Sequence, residues 1–383
     1  MTLVPRRVEV HVLTPGDHFS PRTGSAVPTV VDGLCRSRRS GEPQPRVAVA
    51  NGTYPDRYPS AEVLTYDQLP ERRRDRYVDA TRGRLGLSRP GLRRVWGATL
   101  VGQEQWPDSV VLAHNAPQLV PLVDDRHSAV LYAHNLLLRT YTTREAGLVL
   151  DGAAAVVCVS AALADQMLPH LPSRLQSRLR VVHNGVDVDQ FRPRPDPARA
   201  DRLRVTFVGR MIRDKGADVL LDALLRLDRD DIVLSLVGSQ NFDAQARLSA
   251  FERELHAKAA ALGDRVRLVP FVPRPQVADI YRDSDVVVVP SRWPEPFALT
   301  VMEGMAAGVP VIGSAIGGIP EVMGTAGVQV RPDDIGDLAA ALETLATDEG
   351  LRLRAGAECR AWAESHDWRW ARSELDAVLA EVS

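Results

Sequence analysis

The sequence predicts an α/β protein built from two doubly wound domains, each a parallel sheet covered by helices. Three observations carry this. Short β-branched runs alternate with amphipathic stretches along nearly the whole chain. The strand series ends near residue 183 and restarts near residue 204, across a segment dense in proline and charge. Runs such as Val286-Val-Val-Val289 are apolar on both faces, as a central parallel strand must be. At 383 residues the chain exceeds one ordinary core and suits two domains of under about 200 residues each.

In the first half the pattern places strands at Val8–Thr14, Arg46–Ala50, Val110–His114, Ala129–Ala133, Ala155–Ser160 and Leu179–His183. In the second half it places them at Arg204–Gly209, Ile232–Gly238, Val266–Pro270, Val286–Ser291, Val309–Ser314 and Val328–Val330. Helices fill the gaps, among them Ala217–Leu227, Asp243–Leu262, Leu299–Ala307 and Asp337–Thr347. The expected division is a first domain over 1–188, a linker over 189–201, a second domain over 202–364 and closing helices over 365–383. No internal repeat and no low-complexity tract interrupts it. Ligands of such sheets bind at the carboxyl ends of strands, so the loops after each strand are where chemistry is sought, facing a cleft between the two domains.

Composition removes several classes of function. Hydrophobic residues at 45% and charged residues at 25% exclude a disordered chain. A net charge of −2 gives no global field to recruit nucleic acid. The cysteines, Cys35, Cys158 and Cys359, are scattered and show no metal spacing, which suits a reducing, cytoplasmic setting. The longest nearly apolar stretch, Ala153 to Ala164, is about twelve residues and too short to span a bilayer. Arg6-Arg7 is followed by an alternating strand pattern and not by a signal-peptide core.

The densest chemical signal is Arg292-Trp-Pro-Glu295-Pro-Phe-Ala-Leu-Thr-Val-Met-Glu303-Gly-Met-Ala-Ala-Gly308-Val-Pro310, which follows a buried strand and opens a helix. The first turn is expected over Phe297, Ala298, Leu299 and Thr300, with Pro296 at the helix start. Unpaired amides of that turn form a ready anion site. Glu295 then lies just before the helix and Glu303 about a turn and a half inside it. Arg210 and Lys215 follow the first strand of the second domain around a tight Asp-Lys-Gly turn, and two cations so spaced suit a diphosphate. Of 47 basic residues only Lys215 and Lys258 are lysines, so a compact ammonium at 215 stands out. His134 ends a strand of the first domain and points toward the expected cleft; His114-Asn115 repeats the pattern one strand earlier with no clear role.

These segments resemble the signature of retaining glycosyltransferases of family 4, with the GT-B fold. The resemblance continues in Gly313-Ser-Ala-Ile-Gly317-Gly318-Ile-Pro320-Glu321, in Val208-Gly209-Arg210-Met-Ile-Arg-Asp-Lys215-Gly216, in Leu236-Val-Gly238-Ser and in His183-Asn184-Gly185-Val-Asp187. Spore-coat and cell-surface polysaccharide members look especially similar. The match is strong from about residue 180 to 370 and weaker before it.

The resemblance implies that Glu295 lies near the donor sugar and Glu303 binds the nucleotide ribose. It implies that Arg210 and Lys215 hold the diphosphate, and that the amides of Phe297, Ala298, Leu299 and Thr300 hold phosphate and sugar oxygens. Gly238 belongs to the donor site, and His134 contacts the donor sugar or reaction centre. Gly24 stands in the loop after the first strand, where the family often has a double glycine; here the second position is Ser25. His18, in the same loop, is the one candidate for a base of an inverting enzyme. The closing helices of this fold return to the first domain.

The expectation is therefore a hexosyltransferase-type enzyme that moves a sugar from a UDP-sugar, with GDP- and ADP-sugars also fitting, to a hydroxyl of a carbohydrate, a glycolipid or a small polyol or antibiotic precursor. No cofactor is expected, and with no Asp-x-Asp metal motif read in the sequence, catalysis is expected to need no divalent ion. A GT-B epimerase and a non-catalytic nucleotide-sugar-binding protein are the alternatives. The arginine-rich stretch from Pro70 to Val95 reads as a solvated helix face or as a peripheral membrane contact.

Overall fold

The computed structural model describes residues 7–195, 201–241 and 243–382. Backbone contacts divide the chain into two compact units. One comprises Met1–Pro21, Ser25–Asn184 and Trp368–Ser383, the other Arg22–Gly24 and Gly185–Asp367. Part of the expected linker, residues 196–200, lies outside the described residues.

The first unit holds a sheet of seven parallel strands: β1 Val8–Val12, β2 Arg46–Ala50, β3 Glu62–Tyr66, β4 Ser109–His114, β5 Ser128–Ala133, β6 Ala153–Cys158 and β7 Leu179–Val181. Their spatial order is β3-β2-β1-β4-β5-β6-β7, so the chain reverses direction across the sheet between β1 and β4. The strand β4 is buried along its whole length, as a central strand covered on both faces must be. The closing helix Trp368–Val382 belongs to this unit and packs on the helix Ala26–Arg36. Gly33 makes that approach feasible, because a Cβ there would stand 2.3 Å from the Trp368 ring. Arg372, on the same closing helix, is almost wholly buried and pairs bidentately with Glu9 of β1.

The second unit holds six parallel strands: β8 Leu203–Val208, β9 Ile232–Val237, β10 Val266–Val269, β11 Val286–Val289, β12 Val311–Ser314 and β13 Val328–Val330. Their order is β10-β9-β8-β11-β12-β13, with the reversal between β8 and β11. Phe207, Leu234, Val286 and Ile312 build its core with Leu220 and Leu224 of one covering helix and Leu338 and Leu342 of another.

Several elements depart from the sequence pattern. The edge strand β3 was not expected, since its Glu62 and Thr65 are exposed and its alternation is weak. The helix expected from Asp243 begins at Ala250, where Ser249 and Glu252 form a reciprocal capping box that fixes its start. The arginine-rich stretch is two helices, Arg73–Arg84 and Pro90–Gly97, rather than one, with Pro90 opening the second. Among the described residues no helix is long and apolar enough to cross a membrane.

Candidate functional site

The reversal between β8 and β11 brings two loops side by side at the carboxyl end of the second sheet. The loop after β8 carries Arg210 and Lys215, and the loop after β11 carries Ser291, Arg292 and Glu295. Lys215 Nζ donates to Glu295 Oε1 at 2.6 Å, and Ser291 Oγ donates to the same oxygen at 2.7 Å. Glu295 is 4% exposed, so the carboxylate is desolvated and needs both donors.

The backbone here is shaped by glycines. Gly216 has φ +71°, and a Cβ on it would lie 2.0 Å from the carbonyl oxygen of Pro290. Only glycine lets the Lys215 turn rest against the end of the β11 strand. On the other side Gly317, at φ +59°, and Gly318 abut the main chain of Glu295 and Pro296, and Gly318 N donates to Glu295 O at 2.7 Å. The double glycine therefore acts as a seat for the Glu295 backbone. Arg292 stitches the loops together, through Asp218 at 2.8 and 2.9 Å and Asp333 at 2.6 Å.

The helix after this loop spans Leu299–Ala306, so Pro296 is not at its start as expected but three residues upstream. Ala298 stands before it in the left-handed region, at φ 69° and ψ 74°. For a residue with a Cβ that conformation costs about 1–2 kcal/mol. The amides of Phe297, Ala298, Leu299 and Thr300 come before Val301 N, which bonds Ala298 O, so among the described residues the helix does not use them and an anion can take them. Glu303 is 3% exposed and forms an ion pair with Arg274, whose Nη2 lies 2.6 Å from Oε1. Burial, with the Glu303 charge beside it, pushes the Tyr281 phenol well above its ordinary range. Arg210 is exposed, its Nε donating to Gln240 O at 3.1 Å. Gly238, at φ +134°, presses against Gly209, where a Cβ would lie 2.0 Å from the carbonyl oxygen. The structure thus gathers Lys215 with Glu295 directly, and Glu303 with Arg274, a residue that sequence reasoning missed. Ser291 could have been found from its place at the end of a strand; Arg274 has no local signal.

In the first unit His134 follows β5, and its ring nitrogen Nε2 lies 2.8 Å from His114 Nδ1. Asn115, left-handed at φ 54°, accepts a hydrogen bond from His134 N through Oδ1 at 2.8 Å. His18 Nδ1 accepts from Tyr54 N at 2.9 Å and its ring packs on Tyr54, so one ring nitrogen is already engaged. Gly24 is exposed ahead of the helix Ala26–Arg36; Ser25, in the family's second glycine position, donates to Asp17 at 3.1 Å. Three Asp-x-Asp segments do occur, Asp187-Val-Asp189, Asp228-Arg-Asp230 and Asp283-Ser-Asp285. Asp187 accepts from the amides of Asp189 and Gln190, and Asp285 binds Arg204. Among the described residues no group of three or more His, Cys, Asp or Glu side chains is arranged to hold a metal ion. The three cysteines are buried free thiols. In the arginine-rich pair of helices, Arg89 binds Glu145, Arg94 binds Asp75, and Arg82 donates to Ser88 O.

Comparison with known proteins places this geometry. The family model of the glycosyl transferases group 1 matches residues 189–362, within the second unit. A D-inositol 3-phosphate glycosyltransferase of Paenarthrobacter aurescens is 33% identical over 289 residues, 69% of this chain and 68% of that protein. One from Catenulispora acidiphila is 34% identical, over 65% of each chain. Spore coat protein SA of Bacillus subtilis is 29% identical over 78% of this chain and 80% of its own length. The chain spans 65%, 50% and 62% of the D-inositol 3-phosphate glycosyltransferases of Catenulispora acidiphila, Mycolicibacterium smegmatis and Streptomyces bingchenggensis. The Anabaena protein HepE, solved in complex with UDP-glucose, superposes with a TM-score of 0.72 at 19% identity, over 98% of this chain and 99% of that one. The two parallel sheets share its fold, that of the GT-B class, and the chain belongs to the glycosyl transferases group 1 family.

Proposed function

We propose that the chain is a retaining glycosyltransferase that moves a sugar from a UDP-sugar to an acceptor hydroxyl. The observation that carries this is the Lys215–Glu295 pair at 2.6 Å, seated by Gly216, Gly317 and Gly318 beside the amides at the start of the helix Leu299–Ala306. An ammonium has three N–H groups, and Glu295 occupies one, which leaves two for diphosphate oxygens. Arg210, exposed on the same loop, adds a second cation. Both stabilise the charge that grows on the departing diphosphate. Glu295 and His134 take sugar hydroxyls, and Glu303, held by Arg274, takes the ribose. Retention follows from a front-face route in which a leaving-phosphate oxygen accepts the acceptor proton. No enzyme carboxylate is assigned as nucleophile, and His18 is not assigned as base.

The names of the curated relatives make a phosphorylated polyol the first acceptor to try, with carbohydrates and glycolipids next. The exposed arginines of the helix Arg73–Arg84 suit a peripheral contact with an anionic membrane. Labelled UDP-sugars offered with and without acceptor test the proposal. Acceptor-dependent product supports it, acceptor-free conversion indicates an epimerase, and binding without turnover indicates a binding protein. Proton NMR of the product's anomeric coupling, followed from the start of reaction, tests the stereochemistry. A β-linked product from an α-configured donor would overturn retention and return the central role to His18.

A further inference from the structure

The first unit contains a chain of three imidazoles on three adjacent strands. His11 lies on β1, His114 ends β4 and His134 follows β5. His11 Nδ1 is 2.9 Å from His114 Nε2, and His114 Nδ1 is 2.8 Å from His134 Nε2. The rings overlap at interplanar angles of 17° and 26°, and Tyr132 lies against His134 at 8°. At the inner end His11 Nε2 is buried, makes no hydrogen bond among the described residues, and faces Glu9 Oε2 at 3.6 Å. At the outer end His134 Nδ1 has no hydrogen-bond partner among the described residues, and the residue is 8% exposed.

A neutral imidazole carries a single N–H, so the two shared bonds must run in one direction. In one arrangement every ring carries its proton on Nε2. His134 then donates to His114, His114 donates to His11, and His11 turns its N–H toward Glu9. In the other every proton sits on Nδ1, and His11 turns a bare lone pair toward the Glu9 carboxylate. Burial pushes the Glu9 carboxyl up, but His11 and the bidentate Arg372 outweigh it and hold it down at about 2. An ionised carboxylate at the buried end attracts an N–H and repels a lone pair.

We propose that Glu9, His11 and His114 are positioning residues that lock His134 in its Nε2–H tautomer, presenting Nδ1 as a hydrogen-bond acceptor to a ligand hydroxyl. Burial holds both His114 and His134 below the ordinary histidine range, His134 at about 3, so neither takes a second proton near neutral pH. The lock stands on this geometry; that the hydroxyl belongs to a donor sugar rests on the proposed function.

Nitrogen-15 NMR of histidine-labelled protein, assigned by single His→Gln variants, reads each ring's proton directly and needs no substrate. The expected spectrum has His134 protonated on Nε2 and bare on Nδ1, with His11 protonated on Nε2. A proton on His134 Nδ1, or a doubly protonated His11, overturns the proposal. In Glu9→Gln the carboxamide can donate to His11 Nε2, so a share of His134 should move its proton to Nδ1. If that variant does not fold, His11→Leu serves: His114 loses its acceptor, must donate to His134 Nε2 instead, and His134 should shift to Nδ1–H. Unchanged proton positions in the folded variant overturn the lock. Failure of the transferase reading shows separately, as no turnover of UDP-glucose with any acceptor, and leaves these spectra unaffected.

Discussion

Lys215 and Lys258 are the only lysines beside 45 arginines, and both sit in ion pairs: Lys215 with Glu295, Lys258 with Asp222. Lys215 reaches a carboxylate that is also capped by Ser291, a crowded place for a planar guanidinium. Lys215→Arg is therefore expected to be impaired, and Lys215→Ala and Arg210→Ala to lose on the order of 10²–10³ in rate without losing the fold. Calorimetry with UDP checks the cause, since unchanged affinity in both alanine variants would contradict diphosphate contact. The two glutamates should fail differently. Glu303→Ala is expected to raise donor KM, as a lost ribose contact does, and Glu295→Gln to lower kcat more than KM. Steady-state kinetics with wild-type rates for both would sink the assignment.

At the scale of elements, the structure relies on close backbone approaches that only glycine allows. Gly216 lets the turn after β8 touch the end of β11, and Gly317 and Gly318 seat the Glu295 loop. Gly216→Ala combines an unfavourable φ with a clash against Pro290 O, so it should cost about 1–3 kcal/mol and displace Lys215. In the first unit Gly33 lies under the Trp368 ring of the closing helix. Gly33→Val gains little helix propensity and forces a rigid ring aside, so urea unfolding should report a loss of about 1–3 kcal/mol. A stability equal to wild type would show that the closing helix can shift at no cost.

For the whole molecule, acid sensitivity follows from the buried histidines. His134 is held at about 3 and His114 well below its ordinary value, both mainly by burial. The unfolded chain therefore binds more protons than the folded one between about pH 3 and 6.5, and stability rises with pH through that window. Each such proton contributes a slope of about 1.4 kcal/mol per pH unit. Glu9, held at about 2, adds a second term of the same sign, present above about pH 4.5 and lost as pH falls toward 2. Urea unfolding from pH 7.5 down to 5 should show a steady loss of stability, and His134→Gln should flatten it. A pH-independent midpoint across that range would mean that these histidines are not held neutral.

Local pattern was enough to determine the two-domain α/β class, twelve of the thirteen strands among the described residues, the loops that carry Arg210, Lys215 and Glu295 and the helix that carries Glu303, because periodicity and strand-end position are properties of short segments. It missed β3, whose exposed edge carries little alternation, and it began one helix too early because it overlooked the capping box at Ser249. Only the tertiary structure decided which side chains meet. Arg274 reaches Glu303 from a separate helix, and three histidines line up because the sheet order sets β4 beside β1 although β2 and β3 intervene in the chain. Crossover connections bring distant segments into register, and no short window of sequence records that adjacency.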